Sequence, residues 1–360
     1  MPRAADLGIR IGFLEPGPTN SVLDVPGVGL GHATVHRDEP NPPQGRGRAR
    51  TGVTVLVVAE DAFERLVPAG GAVLNGAGEC TGFITASEWG SLETPVFLTS
   101  TLQVGRVYDA AVELMMERHP SVADDFTIPV VAECDDSYLN DARRMQVDRA
   151  DVAAAWERAL ASRGSDSPPD EGSVGSGTGM SCLGFKGGIG TASRVTPEGR
   201  TVGVLLMTNF GDRRRLTVDG VPVGRLLPAD PAPDPPPAGS CIGMVVTDAA
   251  VDGFGCSRLA RRIGLGLARP GSVGYHGSGE IFLAASTGLR SDRDGTYEGA
   301  ASVSGRALDP LFEAVVEASE EAVLNSMLAS PTVVGRDDHR REGLPPDEVV
   351  RLLRDHRRLT

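Results

Sequence analysis

Residues 235–247 read Pro-Pro-Pro-Ala-Gly-Ser-Cys-Ile-Gly-Met-Val-Val-Thr. Proline cannot donate a hydrogen bond to a sheet and keeps the chain extended, so the proline-rich segment 229–238 predicts an exposed connector. The apolar, β-prone run 242–247 predicts a buried strand, with Ser240 at its mouth. If the bond between Gly239 and Ser240 were cleaved, Ser240 would carry both a hydroxyl and an α-amine of pKa about 8. That amine could act as the base for its own side chain.

The Gly-Ser pair is a weak signal by itself. It recurs at six other places in a chain with 46 glycines, and such pairs usually mark turns. Cleavage before Ser240 therefore depends on support from other parts of the chain.

Composition limits the possible functions. The 360 residues can form one large domain or two smaller ones, and with 4% aromatic residues the core must consist mainly of Val, Leu, Ile and Ala. The net charge of −13 argues against nucleic acid or an anionic membrane as partner. Five cysteines without a CxxC pair and six scattered histidines suggest no disulfide framework, no metal site and no cofactor. With no leader-like start and no run of 18 apolar residues, a cytoplasmic protein is expected.

Short β-prone runs alternate with helical patterns, which predicts an α/β or α+β layer structure. The predicted strands are 53–58, 96–99, 128–132, 202–207, 242–247 and 281–285. The predicted helices are 107–118, 152–161, 257–267 and 310–328, with Ser257 as a candidate N-cap and Pro310 at a first helical position. Residues 165–179 are expected to form a mobile loop, and the charged stretch 336–342 is expected to be exposed.

A glycine-rich segment surrounds Lys186, the only lysine of the chain. It does not match a phosphate-binding loop, because Gly187 rather than Ser or Thr follows the lysine and the strand–loop–helix context is missing. Glycines at this density allow tight turns and close backbone approach. The segment is therefore predicted to pack against an active site.

Three further segments carry candidate chemistry. Asn209 ends a predicted strand and could donate its amide N–H to an oxyanion, although an Asn before glycine is also common in turns. Ser278 and Glu280 are two residues apart, so their side chains share a face in extended chain and could orient a serine and its amine. A solvated turn is the alternative for that pair.

The acidic segment 133–141 follows a predicted strand. Its four acids could receive a cation, and a substrate ammonium is a more economical guest than a metal because the spacing does not match a calcium loop. A solvated acidic loop is the alternative.

Taken together, these segments resemble the L-aminopeptidase/D-esterase family, called DmpA-like, which includes the β-peptidyl aminopeptidases. The resemblance covers nearly the whole chain. It rests on ordered matches at residues 20–34, 75–79, 92–95, 187–194, 208–211, 282–287 and 318–328.

The resemblance implies a four-layer α/β/β/α sandwich, similar to N-terminal-nucleophile hydrolases but connected differently. It also implies a single domain, 1–360, that cleaves itself into a large subunit 1–239 and a small subunit 240–360. The cleaved pairs would assemble into a homo-oligomer.

The family's functional residues match positions in this chain. Ser240 matches the nucleophile and Asn209 the oxyanion donor. Ser278 and Glu280 match the assisting pair, and Glu133 matches the residue that binds the substrate amine. The family pattern has a tyrosine two residues after that Glu, where this chain has Asp135; Tyr138 is the nearest substitute.

The sequence thus predicts a self-processing serine aminopeptidase that releases N-terminal residues, preferably small ones, from short peptides, amides or esters. One alternative is an acyltransferase resembling ornithine acetyltransferase, which is disfavoured because that family has threonine at the cleavage point. Another is an uncleaved, non-catalytic member, disfavoured because the four candidate catalytic residues are all present.

Overall fold

A computed structural model describes residues 1–228, 239–299 and 301–359. The predicted connector 229–238 lies outside the described residues. The strands, in chain order, are β1 Gly29–Asp38, β2 Arg48–Val57, β3 Val67–Gly76, β4 Ser91–Leu92, β5 Val96–Ser100, β6 Val130–Cys134, β7 Ser181–Cys182, β8 Phe185–Lys186, β9 Gly188–Val195, β10 Thr201–Asn209, β11 Gly239–Thr247, β12 Ser278–Ser286, β13 Leu289–Ser291, β14 Tyr297–Gly299, β15 Val333–Val334 and β16 Arg340–Arg341.

The helices are α1 Phe83–Glu88, α2 Val104–Arg118, α3 Arg149–Ala161, α4 Val223–Leu226, α5 Gly253–Ala268, α6 Asp309–Leu328 and α7 Pro346–Asp355. Short 3-10 helices lie at Ala5–Leu7, Val22–Asp24, Thr101–Gln103, Pro120–Ala123, Gly175–Gly177, Arg213–Arg215, Gly305–Leu308 and Arg336–Asp338.

Two sheets form the centre of the molecule. One has the strand order β1-β2-β5-β6 and the other the order β4-β3-β12-β11-β10-β9. Most neighbouring strands are antiparallel, but β5 and β6 are parallel, and so are β11 and β12. The parallel pair β11–β12 needs a crossover connection, which α5 provides.

Three apolar cores separate four layers. Helices α2 and α3 pack on the outer face of the four-stranded sheet, the two sheets pack on each other, and α5 and α6 cover the outer face of the six-stranded sheet. This alternation of helix, sheet, sheet and helix confirms the predicted α/β/β/α sandwich. The small aliphatic side chains predicted from composition fill all three cores.

Three local predictions were wrong. Helix α5 begins at Gly253, and its N-cap is Asp252, which accepts a hydrogen bond from the backbone N–H of Gly255, rather than Ser257. The predicted loop 165–179 becomes largely buried from Glu171 onward, because its 3-10 turn Gly175–Gly177 packs against strands of both sheets. The stretch 336–342 is not uniformly exposed, since Arg341 is buried.

Every helix within the described ranges is too short or too polar to cross a lipid bilayer.

Candidate active site

Ser240 lies at the start of β11, directly opposite Asn209 at the end of β10. Directly paired residues of an antiparallel pair project to the same face of a sheet. Ile242 and Met244, which alternate with the same phase as Ser240, belong to the core between the two sheets. The side chains of Ser240 and Asn209 therefore face the space between the sheets.

Gly239 precedes Ser240 where two backbones approach closely. A Cβ atom at this position would lie 2.0 Å from the carbonyl oxygen of Asn209. A side chain there would push β11 away from β10, so the residue before the candidate nucleophile has to be glycine.

The amide of Asn209 is held from both ends. Its Oδ1 accepts a hydrogen bond of 2.8 Å from the backbone N–H of Ser181, and its Nδ2 donates one of 2.8 Å to the carbonyl oxygen of Asp135. A backbone N–H can only donate and a carbonyl can only accept, so these two contacts fix which end of the amide is which. One hydrogen on Nδ2 remains for another acceptor.

The Ser240 hydroxyl is buried and has no hydrogen-bond partner among the described residues. Cys134 at the end of β6 lies beside it. Burial raises the pKa of the Cys134 thiol well above its usual range. The neighbouring sulfur is therefore a neutral thiol at physiological pH, and the serine hydroxyl is left as the group to be activated.

Ser278 and Glu280 lie on the strand next to Ser240. The parallel register places Ser240 opposite Gly279, so Ser278 and Glu280 are the residues on either side of its pairing partner. The Ser278 hydroxyl donates to Glu280 Oε1 over 2.5 Å, so the two side chains lie together as their spacing predicts. Glu280 Oε2 is buried without a partner among the described residues, and burial raises the pKa of this carboxyl.

The side chains of Ser278 and Glu280 project to the opposite face of the sheet from Ser240. This follows from strand alternation, since Glu280 pairs with Cys241 and Cys241 belongs to the core beneath the helices. The pair therefore does not share a face with the Ser240 hydroxyl, and the backbone nitrogen of Ser240 lies in the plane of the sheet between the two faces.

The sequence analysis placed Glu133 directly after a strand, but in the structure Glu133 belongs to β6 itself. Its buried carboxylate accepts hydrogen bonds from the Glu79 backbone N–H over 2.9 Å and from the Thr101 hydroxyl. Burial raises the pKa of Glu133, against the effect of these two contacts. A cation that approached this carboxylate would find it buried, with only two neutral hydrogen-bond donors.

One short segment connects Glu133 with Gly279, the residue that pairs with Ser240. A Cβ atom on Gly279, which pairs with Ser240, would lie 2.3 Å from the carbonyl oxygen of Ala77. Two residues later the backbone N–H of Glu79 reaches Glu133. The segment 77–79 therefore joins the end of β12 to the end of β6.

The other three acids of segment 133–141 have partners of their own. Asp135 accepts from Ser137, Asp136 is buried and accepts from Ser100 and Asn140, and Asp141 pairs with Arg143. No group of three metal-binding side chains occurs in the ranges 1–228, 239–299 and 301–359.

Tyr138 packs between two side chains near the C-terminus. Its ring stacks on His339 with centroids 4.6 Å apart, and the Arg341 guanidinium lies 4.4 Å from its centroid. Arg341 in turn donates to the hydroxyl of Ser181 over 3.3 Å. His339, Arg341 and Ser181 were missed by the sequence analysis, because no motif or periodicity marks them.

Known proteins resemble the chain over its full length. The model of peptidase family S58 matches residues 20–341. A β-peptidyl aminopeptidase, BapA, of Sphingosinicella microcystinivorans is 36% identical, covering 99% of this chain and 93% of the relative. A solved β-aminopeptidase of a Burkholderia species is 40% identical with a TM-score of 0.88, covering 98% of this chain and 99% of the other.

The structure of the L-aminopeptidase D-Ala-esterase/amidase of Ochrobactrum anthropi is also similar, with a TM-score of 0.89 and 35% identity over the whole of both chains. It is described as a prototype for the serine aminopeptidases and a new variant of the N-terminal-nucleophile hydrolase fold. Four layers and a serine at the mouth of a central strand thus define a hydrolase of this fold variant. The chain belongs to peptidase family S58 and is an aminopeptidase.

Proposed function

We propose that the chain cleaves itself between Gly239 and Ser240 and then uses the new N-terminal Ser240 as its nucleophile. The observation that carries this is the position of Ser240, which has Asn209 on one strand and the Ser278–Glu280 pair flanking its backbone nitrogen on the other. After cleavage, that nitrogen would be an N-terminal amine, and it would lie close to Glu280, the buried carboxylate on β12.

In the reaction, the α-amine of Ser240 takes the proton of Oγ while Oγ attacks the substrate carbonyl carbon. The oxyanion is stabilised by the free N–H of Asn209. The ammonium returns the proton to the departing amine or alcohol as the tetrahedral species collapses to an ester on Oγ. Water, activated by the same amine, then hydrolyses the ester. Glu280, through Ser278, stabilises the ammonium that forms on the way.

Glu133 binds the free amine of the substrate. Its partly satisfied carboxylate lies in the buried segment that connects to Gly279, and an ammonium would form a charge-assisted contact there. Tyr138 is proposed as a second substrate contact, since Asp135 stands where the family pattern has an aromatic residue. Because relatives are named for β-peptides, substrates with a free β- or α-amine and otherwise identical leaving groups are the pair to compare.

The processed chains are further proposed to stay together as a homo-oligomer in the cytoplasm, acting on short peptides and not on nucleic acid. Exposed apolar side chains support an oligomer: Ile84 is 81% exposed and Trp89 59%. The five unpaired cysteines fit a reducing compartment. Gel filtration with light scattering checks the assembly.

The decisive experiment is a denaturing gel of fresh protein with N-terminal sequencing of the smaller band. Two bands of about 25 and about 13 kDa are expected from the total of 37.6 kDa, the smaller starting at Ser240. Ser240→Ala should give one intact chain because no hydroxyl remains for the N→O acyl shift. Ser272→Ala, which also changes a serine preceded by glycine, is the matched control and should be processed normally. An intact wild-type chain, or a fragment starting elsewhere, contradicts the proposal.

A further inference from the structure

The lysine of this chain is buried close to the candidate site without taking part in the proposed chemistry. Lys186 is fully buried, and its ammonium donates to the carbonyl oxygens of Gly177 and Gly187 over 3.0 and 2.7 Å. Burying an ammonium is costly even when it is hydrogen-bonded. The contacts of Lys186 indicate the structural role of this buried ammonium.

On one side, Lys186 fixes the hairpin that holds Asn209. Lys186 pairs with Ser181 in the two-stranded sheet β7–β8, and the Ser181 backbone N–H is the donor to Asn209 Oδ1. The turn leading into Ser181 contains Gly177, whose carbonyl also accepts from the Met180 N–H. Lys186 therefore contacts both ends of the segment 177–181: its ammonium holds Gly177, and its backbone pairs with Ser181.

On the other side, Lys186 lies in the field of Asp136. This buried carboxylate favours the ammonium form, while burial disfavours it and lowers the pKa of Lys186 to about 7; the Cys182 thiol also faces it. Asp136 directly follows Asp135, whose carbonyl accepts from Asn209 Nδ2. Both contacts that orient the Asn209 amide thus come from segments that meet at Lys186.

We propose that Lys186 is a positioning residue, which holds the segments around Ser181 and Asp135 so that Asn209 presents an N–H, and not its oxygen, to the reacting carbonyl. The proposal rests on the role of Asn209 proposed above. If the Ser181 N–H shifts away, the amide loses the donor that keeps Oδ1 turned away from the substrate, and a rotated amide would repel the oxyanion.

The test compares Lys186→Met with Ser330→Ala. Methionine keeps an unbranched chain of similar length but has no N–H. The buried Ser330 hydroxyl donates to the same Gly187 carbonyl over 2.9 Å and to the Ser326 carbonyl, but within the described part of the chain it forms no hydrogen bond with the 177–181 segment. The assay measures turnover of a chromogenic amide that carries a free amine. Each rate is normalised to the concentration of processed enzyme, which is measured as the small chain that begins at Ser240.

Lys186→Met is expected to lower kcat about 10- to 100-fold, because a fraction of the effect of one oxyanion donor is lost, with KM changed less than threefold. Ser330→Ala should keep kcat within threefold. In an Asn209→Ala background, Lys186→Met should change the rate of turnover or of self-cleavage less than threefold, since the residue it acts through is gone.

An equal fall of kcat in both backgrounds, a similar loss in Ser330→Ala, or an unchanged kcat overturns the role of Lys186. If the methionine variant is insoluble, Lys186→Gln, whose amide retains two N–H donors, is carried through the same cycle with the same criteria and a smaller expected loss. A wild-type chain that is uncleaved and inactive overturns the proposed function itself, and this inference with it. An active wild type with additive variants overturns only the inference.

Discussion

Near Ser240, the two faces of the six-stranded sheet carry different polar groups. On the inner face, Asn209 is tied by two hydrogen bonds and Ser240 Oγ has no partner among the described residues. On the outer face, Ser278 is bonded to Glu280, and the second oxygen of that carboxylate has no partner within the same described ranges. The acyl group would thus be handled on one face and the charge of the amine on the other, with the backbone of β11 between them.

The largest effect is expected from the inner face. Asn209→Asp keeps the shape of the amide but replaces its N–H donor by an oxygen, so kcat should fall by about 10²–10³-fold or more, in line with the loss of one oxyanion donor. Steady-state kinetics on the processed variant measures this. A processed Asn209→Asp protein with near-normal kcat would assign the oxyanion to other donors.

The outer face should affect kcat almost as strongly. Glu280→Gln keeps the geometry but removes the charge that is proposed to stabilise an ammonium on Ser240, so kcat should fall by about 10²-fold with KM changed only a few-fold. Ser278→Ala is the companion variant, since it leaves the carboxylate in place but removes its link. If processed Glu280→Gln turns over normally, the pair on the outer face is merely a strand contact.

Glu133 sharpens the comparison by testing binding rather than chemistry. Glu133→Gln should lower kcat/KM by about 10- to 100-fold, because a charge-assisted hydrogen bond is worth about 1.5–3 kcal/mol. N-acetylation of the substrate should produce the same loss in wild type and little further loss in the variant. Glu79→Gln, at an exposed neighbouring carboxylate, is the control. Equal rates on free and acetylated substrates would show a general amidase.

The smallest expected effect concerns stability and pH. The pKa of Lys186 is about 7 in the folded chain, against an ordinary value of 10.5. Between these values the unfolded chain holds a proton that the folded chain has lost, so folded stability rises with pH across this window. Ser240→Ala, which is expected to stay a single chain, serves as the background. The free energy of unfolding of this variant is compared with that of Ser240→Ala/Lys186→Met. The difference between the two should increase from pH 7 upward by at most about 1.4 kcal/mol per pH unit. Urea unfolding at pH 7 and 8.5 measures it, and a constant difference contradicts it.

The sequence was sufficient where a single segment carries the information. The β-prone runs around residues 202–207, 242–247 and 281–285 lie within β10, β11 and β12, and the spacing of Ser278 and Glu280 gave their shared face. Strand order could not be predicted in this way, because it depends on pairing between segments that are distant in the sequence. Only the observed neighbourhood of β11 and β12 and their register, which pairs Glu280 with Cys241, show that the pair lies on the face opposite to Ser240.

The parts that sequence reasoning missed are held by few, irregular contacts. Ser181 reaches Asn209 from a two-residue strand, and Arg341 reaches Tyr138 from another. Such short strands have no measurable period. The first turn of α5 was missed because Gly253 and Gly255 are poor helix formers, although Asp252 caps it.

The sheet order has a consequence for maturation. Strands β11 and β12 come after the proposed cleavage point but lie in the middle of the six-stranded sheet, between β10 and β3, which come before it. Cutting the chain leaves two interleaved pieces, and neither can leave without exposing two long unpaired strand edges of the other. Folding before cleavage is a one-chain process. After the proposed cleavage, recovery from denaturation would become a bimolecular encounter that slows on dilution, so the two-chain molecule would keep its structure chiefly through slow unfolding.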